Sequence, residues 1–150
     1  MKVRNLLVSV VALISFSVAA QNNQPQWVNK VYFGETNVFE DLVCDERGNT
    51  YTLGEASGTL SRWEDGLALV KYNFDGELVW QKTFAGIIPS QSDFRIESYN
   101  NHIYIVALLR GSLQLDANNT VASQNSNPDF LLMKLDEDGD YVWAKTCGTA

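Results

Sequence analysis

"NFDGELVWQKT" (Asn73–Thr83) and "DEDGDYVWAKT" (Asp136–Thr146) are one phrase written twice. Apolar positions lead into the first copy, Leu67 to Val70, and Leu78 to Trp80 follow its turn. Between them stand Asn73 and Gly76, or Asp136 and Gly139 in the second copy. An Asn or Asp at the head of a turn accepts hydrogen bonds from its own backbone two residues on. A Gly three places later supplies the left-handed residue of a type I turn with a bulge. Each phrase therefore reads as a β-hairpin, and "CDERGNTY" (Cys44–Tyr51) repeats the grammar with Asp45 and Gly48.

The hairpins belong to a longer period. A slide of 53 positions brings Trp27 onto Trp80, Tyr51 onto Tyr104 and Gly58 onto Gly111. It also lays "YTLGEASGTL" over "YIVALLRGSL" without a gap and puts Gly48 on Asn101. Asn tolerates the left-handed conformation better than other non-Gly residues, so the turn survives that exchange. The later part aligns at 63 positions, with Lys71 on Lys134, Asp75 on Asp138, Gly76 on Gly139 and Trp80 on Trp143. The extra residues fall in the polar stretch "QLDANNTVASQNSNPD" (Gln114–Asp129), expected to be a surface loop.

Each unit then holds four short strands. The first set is expected near Val38–Cys44, Thr50–Gly54, Leu67–Tyr72 and Glu77–Thr83. The second is expected near Phe94–Ser98, Ile103–Leu109, Phe130–Leu135 and Tyr141–Thr146. "WVNKVYF" (Trp27–Phe33) matches only the last strand of a unit. "LALV" and "FLLM" are apolar on both faces, as in sheets covered on both sides. Sheets of four strands repeating at this period read as β-propeller blades. The expected fold is all-β: two four-stranded antiparallel propeller blades, units 34–86 and 87–148, plus one leading strand.

The pattern resembles the SBBP-type β-propeller repeats of secreted bacterial proteins. "DERGNTYTLG", "LALVKYNFDGELVWQKTFAG" and "DFLLMKLDEDGDYVWAKTCG" carry the likeness, which spans nearly all of the chain after its N-terminal segment. The second unit departs at "ESYNNHIY", where the Asp–Gly–Asn theme is lost and the local turn is open. The resemblance implies a secreted or surface propeller and no shared catalytic activity. Propellers close with four to eight blades. A fragment of a larger propeller is the first expectation here, assembly of several copies the next, and an open pair of units the last.

The N-terminus has the form of a secretory signal. Lys2 and Arg4 precede an apolar run from Leu6 to Val18, and Val18 and Ala20 are small residues before a cleavage point after Ala20. The run is short for a spanning helix. A signal over 1–20, a polar linker over 21–26 and a repeat region over 27–150 follow, with the protein secreted or at the cell surface. Loss of the two basic residues takes the formal charge from −7 to −9. So acidic a chain disfavours nucleic acid. No later stretch is long and apolar enough to span a membrane as a helix. Cys44 and Cys147 are expected to be small buried thiols rather than a bridge.

Chemistry-bearing motifs are weak. "DEDGD" lacks the spacing of a calcium loop, since Gly139 comes fourth and Cys147 stands twelfth. His102 has no partner at a predictable spacing. Asp75 and Asp138 are equivalent turn residues that would point outward. Trp80 and Trp143 recur in the repeat and read as packing residues, with Gly48, Tyr51, Gly76, Tyr104 and Gly139 as the other structural marks. Trp63 lies outside the repeat and is the better, though weak, binding candidate. No catalytic, cofactor or metal site is expected. The expected role is structural or recognition-based, toward a protein or glycan ligand, with further blades or self-association. The alternatives are part of a quinoprotein-like propeller enzyme, suggested by "NFDGELVW", and a calcium-dependent adhesion module.

Overall fold

The structure, a computed structural model, describes residues 36–57, 66–86, 94–124 and 127–148. Positions 1–35, Gly58 and Trp63 lie outside the described residues, and with them the signal, the linker and the leading strand. Among the described residues every regular element is a strand. The first sheet is an antiparallel meander, β1 (Thr36–Cys44), β2 (Thr50–Ser57), β3 (Leu67–Tyr72) and β4 (Leu78–Phe84), paired in chain order. The second contains β5 (Arg95–Tyr99), β6 (His102–Leu109), β9 (Asp129–Asp136) and β10 (Tyr141–Cys147), again paired in chain order. A small hairpin, β7 (Ser112–Gln114) and β8 (Thr120–Ala122), sits between β6 and β9. All pairs are antiparallel, and none of the sheets closes on itself.

The three glycine-bearing turns share one geometry. In each, the fourth residue donates to the carbonyl of the first at 3.0 Å, and the first donates to the carbonyl of the fifth at 2.9 Å. Gly48, Gly76 and Gly139 sit at φ 80°, 80° and 74°, in the region that favours glycine. The head residue ties the turn through its side chain. Asp45 accepts from the Arg47 and Asn49 amides, Asn73 from Glu77, and Asp136 from Asp138 and Asp140. "YNNHI" solves the same problem differently. Tyr99 pairs with His102, and Asn100 and Asn101 both take positive φ, 50° and 57°. That is the two-residue turn type that demands two left-handed residues, which Asn supplies.

One apolar core lies between the two four-stranded sheets. The first sheet gives Tyr51, Leu53, Leu67, Leu69 and Phe84; the second gives Ile103, Ile105, Leu131, Met133 and Leu135, among others. Full burial of one such side chain is worth about 1.5–3 kcal/mol relative to leaving it exposed. Strand β3 is buried along its whole length, as "LALV" led one to expect. Strand β9 is not: it alternates, with Phe130 and Leu132 exposed and Leu131 and Met133 buried. The apolar run "FLLM" is thus covered on one face only.

The stretch after β6 is more than a surface loop. Its alternating "SLQLD" drives Leu113 and Leu115 into the core, while Ser112, Gln114 and Asp116 stay in water. Asp116 heads another tied turn, accepting from the amides of Asn118 and Asn119. Those hydrogen bonds, with the Asn119 side chain, hold its carboxyl below the usual range. Both cysteines depart from expectation. Cys44 and Cys147 are free and exposed, because each ends an edge strand where the chain leaves the sheet.

Candidate functional site

Among the described residues the most elaborated contact is the seam where the Asp136–Asp140 turn meets the first sheet. Lys71, the last inward-facing residue of β3, is buried at 7% exposure. A buried ammonium needs acceptors. Its Nζ donates to the Glu137 carbonyl at 2.9 Å and lies 5.3 Å from the centre of the Tyr51 ring. The same carbonyl accepts from Trp80 Nε1 at 3.3 Å. Around this point Arg47 pairs with the Glu137 carboxylate at 2.7 Å and Lys82 pairs with Asp140. Lys82 also stands 5.8 Å from the Trp80 ring centre. Gly139 packs so close that a Cβ there would lie 2.8 Å from Trp80 Cη2. The result is an acidic turn seated in a socket of Lys71, Trp80, Lys82 and Arg47.

Tyr51 floors the socket. It is buried, tilts against Trp80 at 6.0 Å between centroids, and donates its hydroxyl to Asp45 Oδ2 at 3.1 Å. Burial, then the Asp45 charge, pushes its ionisation up. The Asp45 carboxylate accepts four hydrogen bonds, the last from the Asn49 side chain at 2.7 Å. Burial raises its pKa, but the bonds from Asn49, Arg47 and Tyr51 together outweigh burial and leave it lowered.

Stability should follow these groups. Asp45 contributes above its unfolded pKa of about 3.9, and that share is lost as pH falls through the lower folded value. Tyr51 contributes below its unfolded value of about 10, and that share is lost as pH rises through the higher folded value. Urea midpoints of Asp45→Asn should therefore fall less steeply than those of the parent below about pH 4. An unchanged acid limb would remove Asp45 from the account.

The other edge of the seam is simpler. A bulge between Phe39 and Asp41 turns the Asp41 carboxylate toward β5, where Oδ2 accepts the Ile96 amide at 3.0 Å. An edge-strand donor is thereby satisfied.

The residues singled out in the sequence fall as follows. Trp80, Tyr51 and Gly139 meet at the socket, and Gly48 lies against Phe74. Tyr104 and Trp143 lie on the opposite, outer face of the second sheet, where Lys134 stands 5.4 Å from the Tyr104 ring centre. Asp75 and Asp138 are exposed at turn tips. His102 opens β6 with Nδ1 2.7 Å from the Asn100 carbonyl. In "DEDGD", Asp136 holds its own turn, Glu137 pairs with Arg47 and Asp140 with Lys82. Among the described residues no group of three metal-ligating side chains forms. Among the described residues no helix is long and apolar enough to cross a membrane. Arg47, Lys71, Lys82 and Glu137 were not singled out as a site, although both lysines recur in the repeat as Lys134 and Lys145.

Set against protein-family models, curated proteins and solved structures, the chain matches none of them.

Proposed function

We propose that the chain is an exported β-propeller module with a non-catalytic role, structural or in recognition of a protein or glycan, and that its two four-stranded sheets are successive blades. One observation carries this reading. Two meanders of equal strand order stack face to face, and the side chains that recur in the repeat are used to join one sheet to the next. The turn carboxylates serve their own backbones and the seam, which favours scaffold over calcium-dependent adhesion. The likeness to SBBP-type repeats, carried by the three quoted segments, agrees with export and with propeller architecture.

Two measurements on the chain secreted from a bacterial host test this. Its N-terminus should read Gln21 by mass spectrometry; retention of residues 1–20 would remove export. Its melting temperature should be the same in EDTA and in millimolar calcium, because a ligand that binds only the folded state must raise it. A rise of several degrees would assign the acidic turns to a metal and overturn the scaffold reading.

A further inference from the structure

The socket on the first sheet has a second copy. Applying the repeat shift places Lys134 at Lys71, Trp143 at Trp80, Lys145 at Lys82 and Tyr104 at Tyr51. The structure builds the copies alike: the lysine-over-tyrosine distance is 5.3 Å in the first and 5.4 Å in the second. Strand register puts Tyr104 and Trp143 on either side of Lys134, as Tyr51 and Trp80 flank Lys71. The apolar floor is copied as well, with Leu53, Leu67 and Leu69 matched by Val106, Phe130 and Leu132. The two floors differ in burial. The first three are 0% exposed, under the second sheet; their counterparts are 38%, 63% and 40% exposed.

We infer that the outer face of the second sheet is the seat of a third sheet of the same build, the next unit of this repeat, presenting an acidic Asp/Asn–x–x–Gly–Asp/Glu turn. This rests on the propeller reading and names its partner surface. Three features select the occupant. The filled socket takes a turn of that form. Its ligands are the Glu137 carbonyl and the Glu137 and Asp140 carboxylates; the outer copy repeats the lysines and the tryptophan that meet the carbonyl and Asp140, and has Asn100 where the first socket has Arg47. Lys134 and Lys145 give the outer copy two of the first socket's three positive charges, complementary to an acidic turn, and its apolar floor continues the interface already formed between the first two sheets. A patch of this kind on a chain with a formal charge of −7 is itself a local exception to the acidic whole.

The test appends a second copy of residues 87–148 after Gly148, so that an Asp–Glu–Asp–Gly–Asp turn is available to the Trp143 socket. Lys145→Glu should lower the melting temperature of this extended chain by about 3 °C or more. It should leave the 150-residue chain unchanged, and reversing the appended counterpart of Asp140 to Lys should restore the loss. Equal effects of Lys145→Glu in both chains, or none in either, would overturn the inference. Concentration-dependent dimers of the 150-residue chain that Lys145→Glu abolishes would also overturn it, by making a second copy the occupant. Lys82→Glu in the 150-residue chain separates the two levels. It should lower the melting temperature because that socket is filled. If it does not, the stacked-blade reading fails; if it does while Lys145→Glu is silent in the extended chain, only the third-sheet seat fails.

Discussion

Leu69→Ala is expected to cost about 3–5 kcal/mol of unfolding free energy, the upper part of the range for buried leucines. Leu69 is fully buried in the middle of β3, paired with Leu53 on one side and facing a core built mostly by the other sheet. Shortening it removes apolar contact and leaves a cavity that two pinned sheets cannot collapse around. Against a total stability of about 5–15 kcal/mol, such a loss is large. Because the core is shared, urea unfolding should move to a lower midpoint with its slope kept. A cost under about 1 kcal/mol, or a split transition in which the second sheet keeps the parental midpoint, would mean that the two sheets do not share a core.

Gly139→Ala is expected to cost about 2–4 kcal/mol, from two sources. The backbone at φ 74° costs an alanine about 1–2 kcal/mol. The rest comes from Trp80, whose ring would stand 2.8 Å from the new methyl and would have to give way. A double-mutant cycle separates them. In a Trp80→Leu background the substitution should fall toward the backbone share alone, with a coupling on the order of 1 kcal/mol. Strict additivity would show that turn and tryptophan do not meet.

Much of the fold could be read from the chain because its turns are coded locally. Asp45, Asn73 and Asp136 each stand three places before a glycine, and a turn closed by its own head residue depends on little beyond those positions. These turns pin the register of the strands they join. Tertiary contacts are not coded in this local way. The hairpin β7–β8 hides two buried leucines in a stretch whose composition is polar. The cysteines were expected to be buried as small apolar residues, yet each stands at a strand end, where exposure is set by the neighbouring elements. Strand β9 has the composition of a doubly covered strand but is covered once, and no side-chain pattern encodes the presence of a neighbouring sheet.

The socket was half legible. Tryptophan and both lysines recur at fixed places in the repeat, which marks them as structural. Their shared ligand is the Glu137 carbonyl, a backbone atom present at every position, so no sequence signal could point to it. The centre of the joint uses that backbone carbonyl and not the Glu137 side chain. The Arg47–Glu137 pair is peripheral and exposed, so it adds little.

The seating of the Asp136–Asp140 turn on Trp80 can be seen directly in solution. An indole ring current displaces the resonances of protons held close to it, and Gly139 is held against the Trp80 ring. In the NMR spectrum of the protein, a Gly139 α-proton should be displaced from its random-coil position, show a cross-relaxation peak to the Trp80 indole, and return to the ordinary position in Trp80→Leu. An ordinary Gly139 shift in the parent, with no peak to Trp80, would contradict the seam and with it the stacking of the two sheets.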